Sequence, residues 1–305
     1  MSFTADRLLD RIRLKVQVNR WRSFAVFILV LFALSLLSNN VKLMKISKDH
    51  IARVDITGII LEDRFRDQRL EELKSDKNAK AVIVYINSPG GTIVGGETLY
   101  NSLREISQVK PVVAVMGSVA ASGGYMTAIA ADRIFARSGT ITGSIGVMMQ
   151  TAEFTDMADK LGIKFLTFKS GDMKGLPSPM EKLDQKTAAI IDAGVADGFD
   201  FFINLVKERR KLTEENLKKI SDGRIFTGRQ ALEQNLVDEL GGEDEAVTWL
   251  VSNKKIVPNL KIKDIQIQNK DDLFSRMYAK VISSNNSYVS KIMGEGIVAI
   301  WNPSM

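Results

Sequence analysis

The stretch "KAVIVYINSPGG", Lys80 to Gly91, constrains the fold most. It is too short for a long helix and too uniformly apolar for a strand with one wet face. A run of this kind suits a strand covered on both sides. "PVVAVMGS", Pro111 to Ser118, repeats the pattern. Between the two runs, "TIVGGETLYNSLREIS" places Leu99, Leu103 and Ile106 at helical spacing. Strand, crossover helix and strand form the unit from which parallel sheets are built. "IARVDITGIILE" at 51–62 adds an earlier strand, and "RFRDQRLEELKSD" a charged helix. Downstream, "GGYMTAIAAD" reads as a helix, "RIFAR" and "GSIGVMMQ" as short strands, "FTDMADKLG" as a helix and "IKFLTFKSG" as strand-like. The expected class is α/β with layered sheets and helices.

After "KGLPSP" the chain turns helical. "DQKTAAIIDAGVADGFDFFINLVKERRKL" predicts a long helix with possible breaks at its glycines. Thr213 is placed to cap a helix that opens with Glu214 and Glu215, and 243–252 is helical. From Lys261 one strand-like run precedes an amphipathic pattern, "DDLFSRMYAKVISS", whose Met277, Val281 and Ile282 suit a subunit contact or a surface-lying helix. There is no cysteine among the 305 residues, which rules out disulfides and thiolate metal sites.

The net charge of +6 is unevenly spread. Arg7, Arg11, Arg13, Lys15, Arg20 and Arg22 crowd the N-terminus against Asp6 and Asp10. This is a local feature, not a basic surface for nucleic acid. An apolar run from Phe24 to Leu37 follows, broken only by Ser35. With Trp21, Ser23 and Ser38 as flanks it reaches the lower end, about 17 residues, of what spans a bilayer. The long basic segment before it, and the lack of a small-x-small site after Leu37, favour an uncleaved anchor over a cleaved signal. The basic side stays in the cytoplasm. The expected layout is a basic segment at 1–22, an anchor at 23–40, a folded domain at 41–260 and a C-terminal extension at 261–305.

The chemistry is narrowed by inventory. The single histidine, His50, lies just after the apolar run at the start of the first strand, which suits a surface residue. A Ser-His-Asp triad is therefore disfavoured, and no His cluster or compact acidic motif suggests a metal. Serine with lysine remains. A lysine amine ionises near 10.4 and must drop by roughly three units to act as a base near neutral pH. Lys174 lies in the Gly/Pro-rich loop "KSGDMKGLPSP" rather than on a charged helix, though Asp172 is close in sequence. Ser122 in "VAASGGYMTAIAA" opens a helix whose free N–H groups favour negative charge. Two readings stay open: Ser122 as helix cap or as nucleophile, and Lys174 as solvated charge or as base. "NSPGG", Asn87 to Gly91, reads as a second strand-to-helix turn, and "TGSIGV" around Ser144 as a glycine-flanked strand start.

In this order, "INSPGG", "AASGGYM", "TGSIGV", "KSGDMKGLPSP" and "DGRIFTGRQALEQNLVDELGG" resemble the signal peptide peptidases, or protease IV, of the Ser-Lys serine peptidases. The resemblance spans roughly Ile51 to Gly242 and matches the short form, with one anchor and one catalytic domain. It implies a Clp/crotonase-type repeated ββα superhelix. It implies Ser122 as nucleophile, Lys174 as general base, and Ser144 as the hydroxyl that orients the lysine. It also implies an oxyanion hole from the backbone N–H groups of Gly90 and Gly123. No cofactor or metal is implied. The implied partners are peptide substrates such as signal-peptide remnants, membrane lipid around the anchor, and further copies of the chain. The implied place is the bacterial inner membrane, with the catalytic domain on its outer side. Met126 stands where many relatives carry an aromatic residue, which bears on pocket shape. Three other readings compete: a related protease that trims membrane-associated scaffold proteins, an acyl-CoA hydratase-like enzyme of the same superfold, and a non-catalytic membrane scaffold.

Overall fold

The computed structural model describes residue 15 and residues 17–30, 49–267 and 298–300. The chain divides into two compact units, Met1–Lys48 and Asp49–Met305. In the first, residues 17–30 form helix α1, where Trp21 and Phe24 meet edge to face. Among the described residues no helix is long and apolar enough to cross a membrane. Residues 31–40 of the expected anchor, and the amphipathic pattern at 271–284, lie outside the described residues.

The second unit opens with β1 (His50–Ile60), α2 (Arg64–Ser75), β2 (Ala79–Thr92), α3 (Ile93–Val109), β3 (Val112–Ala121) and α4 (Gly123–Ala128). Short pieces follow: β4 (Arg133–Ala136), β5 (Ile141–Gly143) and α5 (Thr155–Lys160). The chain then forms α6 (Gln185–Arg210), α7 (Glu214–Ile220), β6 (Ile225–Thr227), α8 (Gly228–Glu233), β7 (Glu239–Leu240) and α9 (Glu243–Lys254). It ends with β8 (Lys261–Asp264) and β9 (Val298–Ile300). The order along the sheet is β6-β5-β3-β2-β1-β8, with β4 and β7 branching from β3 and β9 joining β2. β1, β2, β3 and β8 run parallel, and β5–β6 and β2–β9 pair antiparallel.

The apolar run of β2 works on both faces. Val82, Val84 and Ile86 pack into the larger core with α3 and α4, while Ala81 and Ile83 enter a second cluster with Ala246 and Leu250 of α9. Side chains alternate along a strand, so only a continuously apolar run can fill both layers. Each fully buried valine or isoleucine contributes about 1.5–3 kcal/mol.

β3 serves two neighbours. Val113–Met116 pair with β4, and Val119–Ala121 pair with β5. The change of partner falls at Gly117, where a Cβ would come within 2.6 Å of the Tyr85 hydroxyl. The Thr140 hydroxyl donates to the Gly117 carbonyl at 2.7 Å and ties β5 to the bend. Splitting one strand between two partners places the end of β3, and the serine after it, where the sheet branches between β4 and β5.

Several local expectations are corrected. "GSIGVMMQ" is not a strand: the extended run is Ile141–Gly143 and stops at Ser144, whose φ of 49° leaves the β region. "IKFLTFKSG" forms no strand, because among the described residues no neighbouring edge pairs with it and nearly all its side chains stand exposed. "NSPGG" is not a turn before a helix: β2 runs on through Thr92, with Ile59 opposite Gly90. α6 runs unbroken through Gly194 and Gly198. His50 is buried, not a surface residue, and lies 3.8 Å from the Asp76 carboxylate.

Candidate active site

Ser122 closes β3 with φ 54° and ψ −117°. A non-glycine residue at positive φ is strained and persists only where its surroundings enforce it. Two neighbours do so. The Ser122 N–H donates to the Gly143 carbonyl at 2.8 Å, fixing the turn to β5. Gly124 lies so close to β2 that a Cβ there would meet the Ser88 carbonyl oxygen at 2.7 Å.

Of the two readings of Ser122, the capping one is not met. Its side chain makes no capping bond to α4. Its Oγ is buried and has no hydrogen-bond partner among the described residues. A buried hydroxyl without a partner costs about 1–3 kcal/mol, so its retention in this strained turn calls for a use other than local stability.

The other sequence candidates fall unevenly. Ser144 follows Gly143 directly and is fixed by its N–H donating to the Arg224 carbonyl at 2.8 Å. The antiparallel pair Gly143–Ile225 extends the same link. Gly123 begins α4, so its N–H belongs to the first turn, which has no carbonyl four residues back inside the helix. Gly90 has φ 109°, open to glycine, and its N–H donates to the Ser88 hydroxyl at 3.1 Å. Ser88 pairs with Ala120, which brings the Gly90 segment beside the end of β3. Ser122, Ser144, Gly123 and Gly90 therefore gather at one end of β2, β3 and β5.

Lys174 is placed differently. It lies exposed in the segment between α5 and α6, with its N–H donating to the Gly171 carbonyl at 3.0 Å. Its amine makes no bond to Ser122 within one chain, and among the described residues it forms no ion pair with Asp172. The Asp172 carbonyl instead accepts from the Lys169 amine, which also pairs with Glu181. The stretch leading to Lys174 is strongly apolar and open: Leu161, Leu166 and Phe168 are 67%, 80% and 95% exposed.

Sequence reasoning missed four supports. Asn87 accepts from the Val119 N–H at 3.1 Å and bridges the register shift between β2 and β3. Ser88 holds Gly90. The Tyr125 hydroxyl, fully buried, donates to the Leu236 carbonyl at 3.0 Å and anchors α4; burial pushes its phenol above the ordinary range. Arg210 forks onto Asp238, and Asp238 accepts from the Ile134 N–H. Only the polar residues of "NSPGG" carried any prior signal, since the other links join segments far apart in sequence.

The strand edge beside Gly90 takes up extended backbone. β9 runs antiparallel along it, with Ile300 opposite Gly90, Ala299 opposite Gly91 and Val298 opposite Thr92. A strand edge of this type is what extended peptides pair with.

The model of Peptidase family S49 matches residues 104–257. The Synechocystis sp. protein slr0021 is 37% identical over 76% of this chain and 83% of its own. Protease 4 of Haemophilus influenzae is 31% identical over 65% of this chain, which spans 34% of that longer protein. A solved mutant ClpP1 chain from Listeria monocytogenes is 18% identical, covering 62% of this chain and 91% of its own, with a TM-score of 0.41.

Proposed function

The chain belongs to peptidase family S49 and is a serine-type peptidase, and from that premise we propose that it is a membrane-anchored endopeptidase with Ser122 as nucleophile and Lys174 as base. The observation that carries this reading is the Ser122 hydroxyl: buried, without a hydrogen-bond partner among the described residues, and held at a strained positive φ. The superfold proposed is the Clp/crotonase ββα superhelix, supported by the strand shared between two partners at Gly117.

Among the described residues of one chain no amine bonds Ser122 Oγ, while Lys174 stands exposed on an apolar segment. The site is therefore completed in an oligomer: the segment around Lys174 covers the nucleophile turn of a neighbouring copy and buries its own apolar side chains there. A lysine amine in water at neutral pH carries its proton. Removal from water favours the neutral form, which can accept the serine proton. Ser144, beside the nucleophile turn, orients that amine.

The steps follow. An extended substrate takes the place of β9 along the edge of β2 at Gly90–Thr92. The base takes the Ser122 proton as Oγ attacks the peptide carbonyl. The N–H groups of Gly123 and Gly90 hold the oxyanion, Gly90 exchanging its bond to Ser88 for one to substrate. The protonated amine then gives its proton to the leaving nitrogen, and water releases the acyl group by the same base. Unfolded apolar peptides, signal-peptide remnants among them, are the proposed substrates. The anchor at 23–40 holds the domain on the outer face of the inner membrane, where such peptides arise.

The test is complementation. Ser122→Ala and Lys174→Ala chains are each inactive on a denatured apolar peptide. Mixed assemblies of the two regain activity, because one copy's serine meets the other's lysine. No recovery in assemblies shown to contain both chains would refute completion between copies. Activity surviving in either variant alone would refute the dyad.

A further inference from the structure

Where β2 gives way to α3, a cleft of about 670 Å³ opens between the ends of β1 and β2, the first turn of α3 and the middle of α6. That volume is within the range of ligand sites. One wall is apolar, from Leu61, Ile93 and Val94. The wall from α6 presents Gly194 and Gly198, which lie on one helix face and keep the space open. Glu62 and Asp197 also line the cleft. Both are exposed, and among the described residues neither is in an ion pair.

Thr92 belongs to this cleft and to the strand edge at once: it lines the cleft and pairs with Val298. The register fixes what arrives there. An occupant of the edge runs antiparallel to β2, so the residue opposite Gly90 is downstream of the residue opposite Thr92. The Gly90 end adjoins the nucleophile turn, since Ser88 pairs with Ala120. Residues upstream of the paired stretch therefore leave the edge past Thr92, at the same end of β2 as the cleft, whose Leu61 and Glu62 continue β1 on the strand's other side.

We propose that this cleft is a specificity subsite for a lysine or arginine lying upstream of an apolar cleaved stretch. The apolar wall takes the methylene stem, and the two carboxylates meet the charged head at the rim. Counted along the register, from the residue opposite Gly90 through the one opposite Thr92 and on past the edge, the cation falls roughly four or five residues before the cleaved bond. The proposal deepens the peptidase reading and rests on it. A basic segment followed by an apolar one is also the order within a signal peptide.

The test uses the full-length chain in detergent and two fluorogenic peptides with the same apolar core. One carries Lys-Lys four and five residues before the cleaved bond, the other Gln-Gln. Both compete equally with β9 for the edge, so the ratio of their kcat/KM values isolates the cleft. The native chain is expected to prefer the lysine peptide by about fivefold at low salt, and less at high salt. E62Q/D197N abolishes the preference and leaves the glutamine peptide unchanged, and E62K/D197K reverses it. Equal cleavage of both peptides by the native chain, or a preference that survives in E62Q/D197N, would overturn the subsite while leaving the peptidase reading intact. Cleavage of neither peptide would overturn the peptidase reading itself.

Discussion

Gly124→Ala probes the contact that sets the nucleophile turn. The added Cβ would lie 2.7 Å from the Ser88 carbonyl oxygen and 3.5 Å from the Ser88 Cβ. The first contact is with backbone, which cannot swing away as a side chain can. Ordinary contact begins near 3.4 Å, so α4 and β2 must part by several tenths of an ångström. Overpacking of this kind costs about 1–3 kcal/mol. For a domain of this size that lowers Tm by roughly 2–12 °C. The same displacement moves Gly123 away from the Gly90 segment, and misplacement near 1 Å costs on the order of 100-fold in rate. The assay pairs thermal unfolding with single-turnover acylation by a serine-directed fluorophosphonate at saturating reagent. Gly139→Ala is the control, since a Cβ there meets nothing within 4 Å. A Gly124→Ala chain that unfolds and acylates like the Gly139→Ala chain would refute the claim that this close approach builds the site.

Other outcomes follow from the supports around the site. Arg210→Met leaves the Asp238 carboxylate without its bidentate partner and is expected to cost about 3 kcal/mol, read as a fall in urea midpoint. Tyr125→Phe deprives the Leu236 carbonyl of its donor and is expected to cost about 1–2 kcal/mol. The same phenol sets an alkaline limit. Burial raises its folded-state pKa, so above about pH 10 the unfolded chain loses this proton first and stability falls as pH rises. The Tyr125→Phe chain should lack that part of the alkaline loss, which denaturant titrations at pH 8 and pH 10.5 will show.

The long strands and the helix between them were legible because burial on both faces leaves a continuous apolar record, as in Val82 to Ile86. Local capping was legible too: Thr213 accepts from the Asn216 N–H as its sequence predicts. What escaped was set by distant partners. The bend at Gly117 depends on Tyr85 and Thr140, and the β5–β6 pair joins Gly143 to Ile225. "IKFLTFKSG" has strand composition but pairs with no neighbour among the described residues, and composition cannot supply one. From its motif alone Ser122 read first as a helix cap and only second as a nucleophile, because the distinction lies in a φ angle and a missing side-chain bond. The separation of Ser122 and Lys174 within the chain had no local signature, since it is set by where two segments far apart in sequence come to lie.

The central claim, that Lys174 activates Ser122, is tested most directly by the pH dependence of Ser122 acylation. Fluorophosphonate labelling, mapped to Ser122 by mass spectrometry, is followed in the assembled full-length chain and in its Lys174→Ala variant. The expected result is a labelling rate that rises through one ionisation near neutral pH in the native chain and is almost lost in the variant. Labelling of Ser122 at the same rate, with the same pH profile, in the Lys174→Ala assembly would contradict it.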